Sequence, residues 1–260
     1  MASQRPQTIP VFLLVRTAYQ LVWQQRDDAL RLGFIPTLIC FGGLLYSEDL
    51  VLAMSEQMQS GMDEQALAGH AFPLIVTGLV SLLAVIMLVA NWLRFTLLGP
   101  MGAVGLGLGI GRPHAAFAIA TIVLGFVAGI ALTVICMPLL LLPEMLSSIG
   151  SIIAFVVVMV GLARLLPFAV GQAIAQPISL QESWSASRGN GVPLVTGLIL
   201  AQMPLWIVYV VLSNILLATG FATVAPLAML FIASVFQSAS AMLHAIVLAT
   251  AFRQLVGIRV

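Results

Sequence analysis

Ser234, Gln237, Ser238, Ala241 and His244 recur at intervals of three and four residues inside an otherwise apolar stretch near the end of this 260-residue chain. On a helix that spacing sets them on one stripe. A polar stripe within such a segment faces protein or water rather than hydrocarbon, and an ionisable member of it is a functional hypothesis by default. His244 would suit a proton relay, or the ligation of a haem or a quinone. Against these chemistries, no second histidine or carboxylate lies within the apolar runs, since His70 and His114 fall outside them. The competing reading is interhelical hydrogen bonding to groups such as Gln202 or Asn214, worth on the order of 1 kcal/mol each.

A second constellation is split between two short stretches: Asn91, Trp92 and Arg94, then Trp184, Arg188 and Asn190. Arginine supplies a planar fork of donors, tryptophan an interfacial lid, and a helix end adds backbone dipoles. Together they would form a pocket for an anionic lipid headgroup or for a partner's carboxylate. Alternatively, they anchor two surface helices and set the orientation of the chain.

Other candidates are weaker. Residues 99–112 repeat glycine at 105, 107, 109 and 111, but the stretch lacks the Gly-Lys-Ser/Thr ending of a phosphate loop and its intervening residues are apolar. It reads as a loop resting on the membrane surface. Cys40 and Cys136 make no ligand spacing and fall at different depths, so neither a disulfide nor a metal site is expected. No zinc spacing, nucleophile elbow or paired acids in a cleft is present, and no cofactor is implied.

The elements that must position these residues follow from composition. With 61% hydrophobic and 7% charged residues, the chain has too little polar surface to coat a soluble globule and must use lipid as solvent. Its ten basic residues are all arginine. Threading the apolar runs back and forth brings Arg5, Arg16, Arg26, Arg31, Arg94, Arg112, Arg164, Arg188, Arg253 and Arg259 to one side, with Asp27, Asp28 and Glu182. Glu48, Asp49, Glu56, Asp63, Glu64 and Glu144 go to the other. This is the positive-inside pattern, and it predicts that both termini are cytoplasmic. Trp23, Trp92 and Trp184 fall at the same interface. The arginines form no basic run, so nucleic acid is excluded as a partner.

The expected fold is all-α: a polytopic membrane protein with six spans, at about 29–46, 71–93, 115–137, 144–167, 192–218 and 223–252. Residues 1–28 form an interfacial amphipathic helix lying along the cytoplasmic surface, and 29–260 the six-helix domain. Residues 47–70 are an acidic periplasmic loop with a short surface helix. Pro143 and Glu144 open the fourth span, which carries Arg164 to the far interface instead of stranding it in hydrocarbon. Ser179 and Glu182 make a capping box for a short surface helix that Gly189 terminates.

Two stretches carry a resemblance. Ala90 to Gly99 (ANWLRFTLLG) is similar to the Trp-x-Arg-x-x-Leu-Leu-Gly stretch of the YciC-like family of polytopic bacterial inner-membrane proteins, which is related to the membrane domain of some glycerophosphodiester phosphodiesterases. Ser179 to Gly191 (SLQESWSASRGNG) is similar to that family's Ser-Leu-x-x-x-Trp-x-x-(Ser/Thr)-Arg-Gly-Asn signature. Relatives often carry histidine where this chain has Leu93. The resemblance implies a six-helix membrane domain with cytoplasmic surface helices and no established reaction.

The expectation is therefore a non-enzymatic protein of the bacterial inner membrane. It would act as an accessory or assembly subunit that binds other membrane proteins, itself, or anionic lipid. The alternative is a small transporter or lipid-handling permease that uses the Gln237–His244 stripe, and a third is a cofactor-holding subunit that uses His244.

Overall fold

The structure is a computed structural model and describes residues 8–60, 64–102, 108–109, 111–141 and 143–258. Hydrocarbon offers backbone amides no partners, so apolar runs of this length satisfy their own N–H and C=O groups by coiling. The described chain is accordingly helical, with no strand among its described residues. The elements are α1 (Val11–Gln24), α2 (Arg26–Ser60), α3 (Glu64–Leu98), a 3₁₀ turn (Pro100–Gly102), α4 (Arg112–Leu139), α5 (Glu144–Ala173), α6 (Leu180–Ala186), α7 (Gly191–Ala218), α8 (Phe221–Val224) and α9 (Pro226–Leu255).

Six segments are long and apolar enough to cross a bilayer: Arg26–Leu52, Ala71–Leu98, Arg112–Leu139, Glu144–Ala173, Gly191–Ala218 and Pro226–Leu255. The first five are the expected spans, extended by at most six residues at either end, and the sixth is the expected one shifted three residues toward the C-terminus. Residues 47–70 are not a loop. The α2 helix continues to Ser60 and α3 starts at Glu64, so the acidic link is a helical hairpin whose tip, 61–63, lies outside the described residues. Once an apolar run has nucleated a helix, adding polar residues costs little, and the run of Glu, Gln, Met and Ala here favours continuation.

The α9 helix is the hub and packs against α1, α2, α3, α5 and α7. Of its most apolar window, 44% is buried, against 11% for α4 and for α5. The cause is local: Ser234, Ser238, Ala241, Ala245, Ala249 and Ala251 are all buried on α9. Small side chains let neighbouring backbones approach, which is how helices gain van der Waals contact where lipid removes the hydrophobic driving force. The α4–α5 hairpin packs mainly on itself and leans on the bundle from outside.

The α1 helix is seated on the bundle by one face. It packs against α7 and α9, with Leu14 and Ala18 fully buried, and the Tyr19 hydroxyl donates to the Ala201 carbonyl oxygen at 2.9 Å. Phe12 and Trp23 point outward at 87% and 74% exposure. The helix is thus seated in the α7–α9 groove by Leu14 and Ala18, while Phe12 and Trp23 face away from it.

Arg94 and Arg253 meet at one end of the bundle. Arg94 at the end of α3 reaches the last residue of α5, and Arg253 at the end of α9 donates to the Thr96 and Leu97 carbonyl oxygens of α3 at 2.8 and 3.3 Å. Guanidinium groups at helix C-termini meet unpaired carbonyls and the negative end of the dipole.

Candidate functional site

The first motif set is taken up by structure. Asn91 is fully buried, and its Oδ1 lies 3.0 Å from Nε2 of His114 in the first turn of α4. Gly109 closes over this pair: a Cβ there would overlap His114 Nε2 and sit 2.9 Å from Asn91 Oδ1. Arg94 donates from Nε to the Gly102 carbonyl oxygen at 2.9 Å and from Nη1 to that of Ala173 at 2.7 Å. It therefore ties the 3₁₀ turn to the end of α5. Trp92 is not an interfacial lid. It has no exposed surface and stacks on Phe95 with ring centroids 5.2 Å apart, because the end of α3 is enclosed by α4, α5, α9 and the turn.

The second motif set sits on α6 and the link to α7. The capping box is present: Ser179 N–H donates to Glu182 Oε2 at 2.7 Å and Glu182 N–H to Ser179 Oγ at 3.1 Å. Gly189 turns the chain with φ +81°, a conformation that favours glycine. Asn190 is buried and accepts the Ile9 N–H at 2.8 Å, which pins the start of α1 beside the start of α7. Arg188 is exposed. Trp184 lies under the Arg164 guanidinium, whose Cζ is 3.6 Å from the ring centroid, and its carbonyl oxygen accepts from Arg164 Nη2 at 2.8 Å.

Sequence reasoning placed Arg164 at an interface but missed this partner, and it missed Ser183 altogether. Next to Pro167, which has no N–H to give, the Ser183 hydroxyl enters the α5 ladder. It accepts from Phe168 N–H at 3.1 Å and donates to the Arg164 carbonyl oxygen at 2.9 Å. The signal was available only in retrospect: a proline one turn past an arginine, followed by a short capped helix.

The stripe on α9 divides in two. Ser234 and Ser238 are buried; Ser234 Oγ returns to its own helix at Phe231, and Thr37 Oγ1 of α2 donates to Ser238 Oγ at 2.7 Å. Gln237, Ser240 and His244 turn toward α7 instead. Gln202 meets Ser240 twice: its Nε2 donates to the Ser240 carbonyl oxygen at 2.9 Å, and Ser240 Oγ donates to Gln202 Oε1 at 2.7 Å. Asn214 bonds only within its own helix, to Val210 at 2.7 Å.

Two cavities flank this bond. The larger, of about 640 Å³, lies between α4, α5, α7 and α9. Its walls are apolar, including Leu124, Phe155, Met159, Leu162, Leu198 and Trp206, and its polar members are Thr121, Gln202 and His244. It forms because α5 packs against α7 while α4 stands off from it. The smaller, of about 340 Å³, lies between α2, α7 and α9, with Gln237, Ser240 and Tyr209 in its lining. Trp206 borders both, and the Gln202–Ser240 bond forms part of the partition. Ala241 is buried and lines neither.

Both cysteines are free thiols. Among the described residues no group of three His, Cys, Asp or Glu side chains is arranged to hold a metal ion.

Fold and site together define a multi-pass helical membrane protein whose central helix faces two intramembrane cavities. Comparison of the chain with protein-family models, with curated proteins and with solved structures gives no match.

Proposed function

We propose that this is a non-enzymatic, lipid-handling protein of the bacterial inner membrane that admits a lipid sideways into the larger cavity. The observation that supports this most directly is the 640 Å³ cavity between the α4–α5 hairpin and α7 and α9. Its size is that of a site for a small organic ligand. Its apolar walls suit a chain drawn from the bilayer, and a loosely packed hairpin offers a door that need not break the hub. The arginines at one end and the acidic helical hairpin at the other support cytoplasmic termini on the positive-inside rule. Kinship with the YciC-like group belongs to this proposal and rests on the Ala90–Gly99 and Ser179–Gly191 stretches.

The test uses Gly125, which lines the cavity and where an added Cβ meets nothing within 4 Å. Gly125→Phe should fill the cavity from α4 without disturbing the fold. Wild-type protein purified from its host in gentle detergent should retain lipid at near-stoichiometric amounts by mass spectrometry, and Gly125→Phe should lose it. Equal lipid in both would refute the reading.

The accessory-subunit reading is favoured by one feature, the peripheral α4–α5 hairpin, whose Phe126, Val134, Ile152 and Ile153 are exposed. A partner protein that co-purifies with wild type and Gly125→Phe alike, with no retained lipid in either, would establish it instead.

A further inference from the structure

Most of the two motif sets is spent inside the protein: Asn91, Arg94 and Asn190 are hydrogen-bonded there and Trp92 is enclosed. Trp184 stays 44% exposed and has gained Arg164 as a neighbour, with Cζ 3.6 Å from its ring centroid. That guanidinium keeps donors to spare. Nη2 donates to the Trp184 carbonyl oxygen at 2.8 Å and Nε is enclosed, but Nη1 is neither enclosed nor bonded. No acid neutralises the charge. Among the described residues the salt bridges join Arg26 to Asp27 and Arg31 to Asp28, and Glu182, the acid of α6, turns back to the Ser179 N–H. A planar fork with open donors and no counter-ion suits an anionic oxygen from outside the chain.

A groove of about 200 Å³ between α4 and α5 opens against the same tryptophan. Gly161 on α5 and Ala128 and Ala131 on α4 leave it room, Leu162 and Leu165 wall it, and no charged residue lines it. A Cβ on Gly161 would meet nothing within 4 Å. Such a crease accepts a hydrocarbon chain and offers a polar one no partner.

The levels match a lipid standing in the bilayer. Arg164 lies about 8 Å from the midpoint of α5, while Gly191, whose Cβ would be 3.1 Å from Arg164 Cγ, lies about 20 Å from the midpoint of α7. These values bracket the edge of the hydrocarbon, about 15 Å from its centre. From Trp184 the groove runs inward through Gly161 to Val158 at the middle of α5. An anion held by Arg164 therefore sits at headgroup level with the groove directly beneath it. Free phosphate would leave the groove empty, and the ammonium of a zwitterionic head would find no carboxylate beside Arg164.

We infer that Arg164, Trp184 and the α4–α5 groove bind an anionic phospholipid, with its phosphate on Arg164 Nη1 and one acyl chain in the groove. The site is separate from the larger cavity, although Leu124 and Leu162 border both. It does not rest on that cavity admitting lipid.

The experiment titrates dioleoyl-phosphatidylglycerol into the full-length protein in detergent and reads the thermal unfolding midpoint. Dioleoyl-phosphatidylcholine supplies the same chains without net charge, and inorganic phosphate the charge without chains. Phosphatidylglycerol should raise the midpoint saturably, and both comparison probes should act at least about tenfold more weakly. Arg164→Gln should raise the half-saturating concentration about tenfold, the loss of one partly screened charge-assisted hydrogen bond, and Arg164→Lys should raise it less. Should Arg164→Gln fail to fold, Gly161→Phe carries the test: it fills the groove from open space and should weaken binding about fivefold or more. Arg16→Gln, at an exposed arginine of α1, should change nothing. The titration repeated in Gly125→Phe isolates this site from the larger cavity and should give the same affinity.

Equal action of phosphatidylcholine or of inorganic phosphate would overturn the inference, as would unchanged affinity in Gly161→Phe. A loss in Arg16→Gln as large as that in Arg164→Gln would overturn it too, by showing general surface attraction. Binding abolished by Gly125→Phe alone would assign the lipid to the larger cavity and remove this site, whereas binding that survives Gly125→Phe supports this site even where no lipid is retained in the cavity.

Discussion

Arg94 separates a structural from a ligand-binding role for the first motif, and its replacement by leucine tests which holds. The side chain gives two charge-assisted hydrogen bonds, to Gly102 and Ala173. Each such bond contributes about 1.5–3 kcal/mol when well shielded. Ala173 ends α5, so the guanidinium also lies at the negative end of that helix dipole, worth about 0.3–1 kcal/mol. Because Arg94 is only half-buried, water replaces part of this on mutation, and the net loss expected for Arg94→Leu is about 2–4 kcal/mol. At about 2–4 °C per kcal/mol for a chain of this size, the unfolding midpoint should fall by about 5–15 °C. Arg94→Lys, a point charge on a flexible stem, can reach one carbonyl at a time and should lose about half as much. The assay is thermal unfolding of the purified protein in detergent, followed by near-ultraviolet circular dichroism, since the fully buried Trp92 lies two residues away. An unchanged midpoint in Arg94→Leu, with loss of anionic-lipid binding, would refute the reasoning and return Arg94 to a headgroup site.

Four further outcomes follow from the same geometry. A double-mutant cycle over Thr37→Val and Ser238→Ala should give a coupling of about 0.5–1.5 kcal/mol in detergent unfolding, because their 2.7 Å bond joins α2 to the hub. Gly191→Ala should lower the unfolding midpoint, as a Cβ there would lie 2.9 Å from Val160 Cγ1 and 3.2 Å from the Val160 carbonyl oxygen, whereas Gly125→Ala should leave it unchanged or raise it by the helix-propensity gain of up to about 1 kcal/mol. Ser179→Ala removes the Glu182 N–H partner of the capping box and should cost about 1 kcal/mol; equal proteolysis of the α5–α6 link in mutant and wild type would contradict it. In a background with Cys40 and Cys136 replaced, a membrane-impermeant maleimide added outside spheroplasts should label Ser60→Cys and not Arg188→Cys; the reverse pattern would invert the proposed orientation.

Much of the fold was legible in the residues. Six apolar runs, each long enough to span hydrocarbon, had no alternative to helices, and the local signals at their ends were short-range: Pro143 before Glu144, Ser179 three residues before Glu182, Gly189 beyond α6. Such features depend on neighbours within a turn, so they can be read one stretch at a time. The error over 47–70 has the same origin, since an acidic composition indicates water without telling whether the backbone stays coiled in it.

What the chain determined alone, then, is how many helices are long and apolar enough to cross and which short-range signals open and cap some of them. Tertiary structure decided which polar side chains are spent and which are left open. Periodicity put Ser234, Gln237, Ser238 and His244 on one stripe, but a helix at the hub touches several neighbours, and 100° of rotation per residue separates Ser238, bound to α2, from Gln237 and His244, turned toward α7. Asn91 and His114, distant in sequence, close on each other because α3 and α4 meet at one end. The larger cavity was invisible for the same reason. It is a gap between four helices, bounded by apolar residues that look like any lipid-facing side chain until their neighbours are placed.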